Sequence, residues 1–355
     1  MGVNMSEDNN KVATQKRYTA LDGLRAFAAI GIVIMHVKAN MRFDISGRFY
    51  NDFISDLGNL AFLFMILSAF AMCCGYYDKI IENRISVNEF YSKRYRRIWP
   101  FFAILVLLDF VVSPGKDALM EAFADLTLLF SFLPNANISV IGVAWTLGVI
   151  FAFYVIFPFF CFLIGNKKRA WFSLAIALLL HITSEVYFMN SNHVLPSFNK
   201  DSNIVFCGVF FVIGGIIFLY KDEIVNYVNR MGIIALVLVV AGSVVTYCFI
   251  DNSSIKRIVI FTLWICYAIG DNRKILSCKF ARILGGISME IYLSHMLVLR
   301  IVQKLHLDKF VGNGVVAFLI SCAAVLLGAI VFSYIFKYAV EKSGEYGKRK
   351  KNSVG

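Results

Sequence analysis

The chain of 355 residues is 59% hydrophobic and only 16% charged, with a mean hydropathy of +0.70, against roughly 45–50% apolar and about 25% charged residues in a soluble domain. This composition excludes a soluble globular enzyme and predicts an all-α, polytopic membrane protein. The formal charge of +12, from 35 Lys and Arg against 23 Asp and Glu, reads as a topology signal, because cytoplasmic loops of membrane proteins are enriched in cations. Nucleic-acid binding is set aside.

In chain order, a polar tail over 1–17 precedes an apolar run that starts late and carries Arg25, so a cleavable signal peptide is not expected. At roughly 20 apolar residues per crossing, the runs 20–38, 57–77, 98–113, 145–164, 170–188, 203–220, 231–250, 257–270, 286–303 and 314–337 predict about ten transmembrane helices. Both termini then share one side. With the N-terminus inside, Lys16, Arg17, Lys79, Arg84, Lys93, Arg94, Arg96, Arg97, Lys167, Lys168 and Arg169 are cytoplasmic. So are Arg273, Lys274, Lys279, Arg282 and the tail Lys348 to Lys351, whereas the opposite loops carry fewer cations. The stretch 119–133 carries Glu121 and Asp125, ends at Pro134, and would invert the later loops if counted. It reads as an outer-face interfacial or re-entrant helix, with an eleventh span as the alternative. One membrane domain over 18–340, followed by a basic tail over 341–355, is the simplest division.

The eight cysteines show no C-x-x-C spacing and the five histidines no paired ligand spacing, so neither a disulfide framework nor a metal site is expected. Ionisable residues inside the apolar runs matter more. A charge at membrane depth costs several kcal/mol, roughly 2.5–3.5 on insertion scales, and faces a watery path or a partner. In the first run, Arg25 and His36 lie eleven residues apart. That spacing puts them on one helical stripe, about 16 Å apart along the axis. Either they snorkel to opposite interfaces or they mark a functional path. His295 falls midway along the ninth run, with Glu290 about 140° away around the helix; it is either a structural histidine or a functional one. His181 and Glu185 are spaced to touch, and a structural polar pair is the expectation. The loop Phe90 to Pro100 concentrates Lys93, Arg94, Arg96 and Arg97. Topology alone accounts for such cations, but arginine forks also suit phosphate.

Several short motifs fall in a fixed order. Leu21-Asp22-Gly23-Leu24-Arg25-Ala26 with His36 is similar to an Arg-x10-His signature, and Phe64-Met65-Ile66-Leu67-Ser68-Ala69-Phe70 to F-F-V-L-S-G-F. Arg94-x-x-Arg97-Ile98-x-Pro100 is similar to R-x-x-R-[IL]-x-P, and Trp145-Thr146-Leu147 with Phe153, Tyr154 and Pro158 to W-S-L-x-x-E-x-x-F-Y-x-x-x-P. Ile287-Ser288-x-x-Ile291-Tyr292-Leu293-x-His295 and Tyr338-Ala339-Val340-Glu341-Lys342 complete the set. Over nearly its whole length the chain therefore resembles acyltransferase family 3, the membrane proteins that O-acylate cell-surface polysaccharides. It departs at Ala69, where the pattern has glycine, and at Ile150, where it has an acid. Asp109, Asp125, Glu185 and Glu290 are the candidate replacements for that acid. No hydrolase-like extension follows the membrane domain, so a stand-alone form is expected.

The resemblance implies acyl-CoA, acetyl-CoA foremost, as a cytoplasmic co-substrate, with no permanently bound cofactor. The acceptor it implies is a hydroxyl of a cell-surface glycan or a lipid-linked saccharide, at a bacterial inner membrane. Arg94, Arg97, Arg25 and Ser68 would meet the CoA, and Trp145, Tyr154 and Tyr292 the substrate. His36 would act as general base, since an imidazole with an ordinary pKa near ~6.5 suits proton transfer at neutral pH; Arg25 and His295 would assist. A covalent acyl-histidine relay stays open, as does a transporter or flippase that uses the same ionisable residues.

Overall fold

The computed structural model describes residues 18–133, 142–196, 198–271, 276–305 and 312–352, with side chains as far as residue 339. Among them there are helices and turns but no strand. Helix α1 is Ala20–Asn40, and α2 is Leu60–Ile81, led in by tight turns from Phe49. Then come α3 Val87–Val112, α4 Lys116–Thr127, α5 Trp145–Leu163, α6 Lys167–Thr183 and α7 Ile204–Leu219. The rest are α8 Lys221–Met231, α9 Ile233–Phe249, α10 Ser253–Gly270, α11 Lys279–Gly286, α12 Ser288–Lys304 and α13 Val315–Asn352.

Polar caps set several of these boundaries just outside apolar runs. The Ser86 hydroxyl accepts the Glu89 amide at 3.1 Å, and Asn166 accepts that of Arg169 at 2.9 Å. Asn203 accepts the Val205 amide at 2.8 Å and Asn252 that of Ile255 at 2.9 Å. Each side chain satisfies an amide that the first helical turn leaves without an intrahelical acceptor.

Each of the ten expected runs falls on a helix. Among the described residues, six segments are long and apolar enough to cross a membrane, eight if the bent pairs α7–α8 (73°) and α11–α12 (68°) each count as one span. The other two runs are α9, at 17 residues, and the second half of α3, whose first half is too charged. The protein is thus a multi-pass helical membrane bundle. Residues 119–133 do not form a span: α4 has 12 residues, about 18 Å against a ~30 Å hydrocarbon core, and Leu128 ends it in the left-handed region. Partial burial, and then the Asp117 carboxylate, push the Glu121 carboxyl of α4 up from its ordinary range. Lys16, Arg17, Pro134, Arg273 and Lys274 lie outside the described residues, as do the side chains of Glu341, Lys342 and the basic tail. The backbone of α13 continues as helix to Asn352, past the expected boundary at 340.

Helix α1 sits at the centre, against α2, α11, α12 and α13. It runs parallel to α12. At one end Gly285 leaves room for the Asp22 carbonyl, and at the other the Gln303 amide donates to the Asn40 carbonyl at 2.6 Å. It runs antiparallel to α2, with Tyr18 against Phe70 and Met35 against Gly58. Helix α2 packs most extensively on α7, where a Cβ on Gly214 would stand 2.5 Å from the Ile66 carbonyl oxygen and 2.7 Å from the Ala69 methyl. The extra methyl of Ala69 therefore finds its space at a glycine on the facing helix. Helices α6 and α9 turn Trp171, Phe172, Leu179, Val237, Leu238 and Val244 outward, an apolar face suited to lipid.

Candidate active site

Among α1, α2, α3, α5 and α12 lies a cavity of about 550 Å³. Its long axis can be read from two stripes at four-residue spacing, Phe64, Ser68, Met72 and Tyr76 on α2, and Thr146, Ile150 and Tyr154 on α5. Such spacing keeps side chains on one helix face, each about 6 Å further along. At one end both stripes meet Arg94, which donates to the Tyr76 hydroxyl at 2.5 Å and has its guanidinium 4.6 Å from the Tyr76 ring and 6.0 Å from that of Tyr154. At the other end both meet Tyr292. Its ring lies 5.8 Å from Phe64, and its hydroxyl bonds to the Thr146 hydroxyl at 2.9 Å and the Val143 carbonyl at 2.7 Å.

Arg94 and Arg97 belong to α3 and not to a loop, as the sequence suggested. The Ser86 cap starts that helix early, and it carries Pro100 in its interior. Arg25 also lines the cavity, paired with Asp22 at 3.1 Å one turn before it. The charges of Arg25 and Arg97 act on each other, and that of Arg97 also acts on Glu290. Three guanidiniums against the carboxylates of Asp22 and Glu290 leave the cavity with a positive excess suited to an anion.

Just beyond Tyr292, off the cavity lining, the rings of His36 and His295 lie 4.9 Å apart, and that of His295 is 5.9 Å from Tyr292. The first and ninth expected spans thus bring their histidines together. His36 Nδ1 lies 3.0 Å from the Ile32 carbonyl and His295 Nδ1 2.5 Å from that of Tyr292. A carbonyl can only accept, so each Nδ1 carries the proton, and the basic lone pair of each neutral ring falls on Nε2. The Nε2 of His295 is buried with no hydrogen-bond partner.

Of the expected site residues, Arg25, Ser68, Arg94, Arg97, Tyr154 and Tyr292 line the cavity. Trp145 does not: it packs 5.9 Å from the Phe62 ring, on a different face of α5 from Ile150. The expected contact of His181 with Glu185 gives way to two separate ones. His181 Nδ1 faces the Phe206 carbonyl at 2.7 Å, and Glu185 holds Lys200 at 2.9 Å, so both are structural. Of the four carboxylates proposed to replace the acid at 150, Glu290 reaches the cavity, Asp109 pairs with Arg300, Glu185 holds Lys200, and Asp125 is buried on the inner face of α4. Sequence reasoning gave no role to Tyr76 or Thr146, whose parts depend on distant partners. Asp22 carried a local signal, an acid three residues before an arginine.

A family model described as an acyltransferase domain matches residues 18–334. Among curated relatives, the O-acetyltransferase OatA of Staphylococcus aureus is 25% identical over 209 residues, covering 50% of this chain and 33% of that protein. An uncharacterised protein of Haemophilus influenzae is 25% identical over 157 residues, covering 39% of this chain and 62% of its own. The chain thus spans about a third of the length of the curated O-acetyltransferase it matches. No solved structure matches. With the match running from before α1 into α13, and so through every helix of the cavity and the histidine pair, the chain belongs to acyltransferase family 3.

Proposed function

We propose that the protein is a membrane O-acyltransferase. It moves an acyl group, acetyl foremost, from cytoplasmic acyl-CoA to a hydroxyl of a cell-surface polysaccharide or its lipid-linked precursor, at a bacterial inner membrane. The observation that carries this reading is the cavity whose arginine end leads past Tyr292 to two histidines in contact. The loop cations favour the arginine end as the cytoplasmic one.

In this reading Arg94 and Arg97 hold the phosphates of CoA, and Arg25 meets the pantetheine arm. The thioester reaches the apolar end, where the Tyr292 ring lies 5.9 Å from His295. His36 Nε2, its lone pair left by the Nδ1 bond to Ile32, takes the proton of the acceptor hydroxyl. The hydroxyl oxygen bonds to the acyl carbon, the C–S bond breaks, and the thiolate leaves to be protonated as free CoA. His295, fixed by the Tyr292 carbonyl, orients the His36 ring.

NMR of surface polysaccharide from cells with and without the gene tests the reading, with loss of O-acyl signals as the expected result. Purified protein should release CoA thiol from acetyl-CoA only when acceptor is present. Proton-coupled solute flux without thioester loss would replace the reading with transport.

A further inference from the structure

The two ends of the cavity differ in chemistry. Near Arg94 the wall carries all three guanidiniums that reach the cavity: Arg94 lies beside Tyr154, Arg97 follows one helical turn on along α3, and Arg25 stands in the neighbourhood of both Tyr154 and Arg97. Toward Tyr292 the wall is Phe64, Leu147, Ile150 and Leu293, with the Thr146 and Tyr292 hydroxyls already bonded to each other. Ile150 stands one helical turn, about 6 Å, from both Thr146 and Tyr154, where the cationic part gives way to the apolar one. It is also the position at which the family pattern carries an acid.

We propose that this apolar end is an acyl-group pocket that restricts the donor to short, uncharged acyl thioesters, with Ile150 setting its width and polarity. The inference rests on the reading of the cavity as an acyl-CoA site. An acetyl or propionyl group places only methyl and methylene carbons against Ile150, Leu147 and Leu293. A succinyl group would bring its free carboxylate against Phe64, Leu147 and Leu293, on the side away from the three guanidiniums of the cavity; an unpaired buried charge is strongly disfavoured. A butyryl chain would press on the branched side chain of Ile150, and well-packed walls resist added methylenes.

The test is displacement of radiolabelled acetyl-CoA from purified protein in lipid nanodiscs by CoA, propionyl-CoA, butyryl-CoA and succinyl-CoA. With the wild type, propionyl-CoA should compete within a few-fold of acetyl-CoA and succinyl-CoA at least tenfold more weakly. In Ile150→Ala, butyryl-CoA should gain about tenfold relative to acetyl-CoA, the order expected when a hydrophobic pocket gains room for one or two methylenes. Ile150→Val, the milder truncation, should shift the ratio the same way by a smaller factor. Equal competition by succinyl-CoA and acetyl-CoA in the wild type overturns the proposal, as does an unchanged butyryl-to-acetyl ratio in both variants. If CoA itself fails to displace the label and the label fails to bind, the acyl-CoA reading falls first and this inference with it.

Discussion

At the residue scale the proposed chemistry turns on the two ring nitrogens of His36. The Nδ1 bond to Ile32 commits the basic lone pair of His36 to Nε2. His36→Ala should therefore lower acyl transfer by at least the roughly 10²–10⁴-fold that a positioned base contributes, with membrane insertion intact. Steady-state transfer assays beside a fluorescence-detected elution profile check both. Arg25 is held by Asp22 and lies among other guanidiniums, so its planar fork matters more than its charge. Arg25→Lys should lose most activity, and retention of wild-type kcat/KM would refute the fork. Glu290 lines the cavity, yet on α12 it points about 140° away from His295. In the proposed function its part is to lower the positive field of the cavity, not to orient a histidine. Glu290→Gln should lower KM for acyl-CoA by about two- to fivefold, the effect of ~0.5–1 kcal/mol from one screened like-signed charge, and leave kcat nearly unchanged. A collapse of kcat would assign Glu290 to the chemistry instead.

Close approach governs the elements. The seam of α2 and α7 depends on Gly214, which faces the Ile66 carbonyl and the methyl of Ala69. Gly214→Ala should destabilise the bundle by about 1–3 kcal/mol through overpacking. Adding Ala69→Gly should recover part of that loss, because it removes the methyl contact but not the carbonyl one. Thermal unfolding of the two variants in detergent measures both effects. The same seam shows what was legible beforehand. The replacement of glycine by Ala69 was visible in the sequence, while its accommodation on α7 was not, since it depends on which helices become neighbours. Likewise the Arg-x10-His spacing correctly set Arg25 and His36 on one helix, but the contact of His36 with His295 came from packing. The cation run at Arg94 was read as a loop because charge obscured a helix that Ser86 caps one turn before the first of them, at Glu89. Trp145 was expected at the substrate by motif alone; the rotation of α5 turns Ile150 to the cavity and Trp145 toward Phe62.

For the whole molecule, relative helix direction bears on topology. The parallel run of α1 with α12 and the antiparallel run of α1 with α2 agree with alternate crossings, in which the first and ninth spans run the same way; the loop cations then favour a cytoplasmic N-terminus. Cys278, exposed before α11, should react with a membrane-impermeant maleimide only after cells are permeabilised. A cysteine introduced by Ser191→Cys in the opposite loop, where Ser191 is exposed, should react on intact cells. The reverse pattern would invert the orientation and with it the side from which CoA enters.

The contact between His36 and His295 also bears on biogenesis. One histidine is inserted with the first helix, the other with the twelfth, and the hydroxyl of Tyr292, which lines the cavity, bonds to partners on α5 and just before it. Long-range closure of this kind comes late in folding. His36 is in place from the first helix, but its neighbour His295 and the cavity wall formed by Glu290, Tyr292 and Leu293 all arrive with α12. The cavity and the histidine pair are therefore completed in one late step, the docking of α12 against α1 and α5.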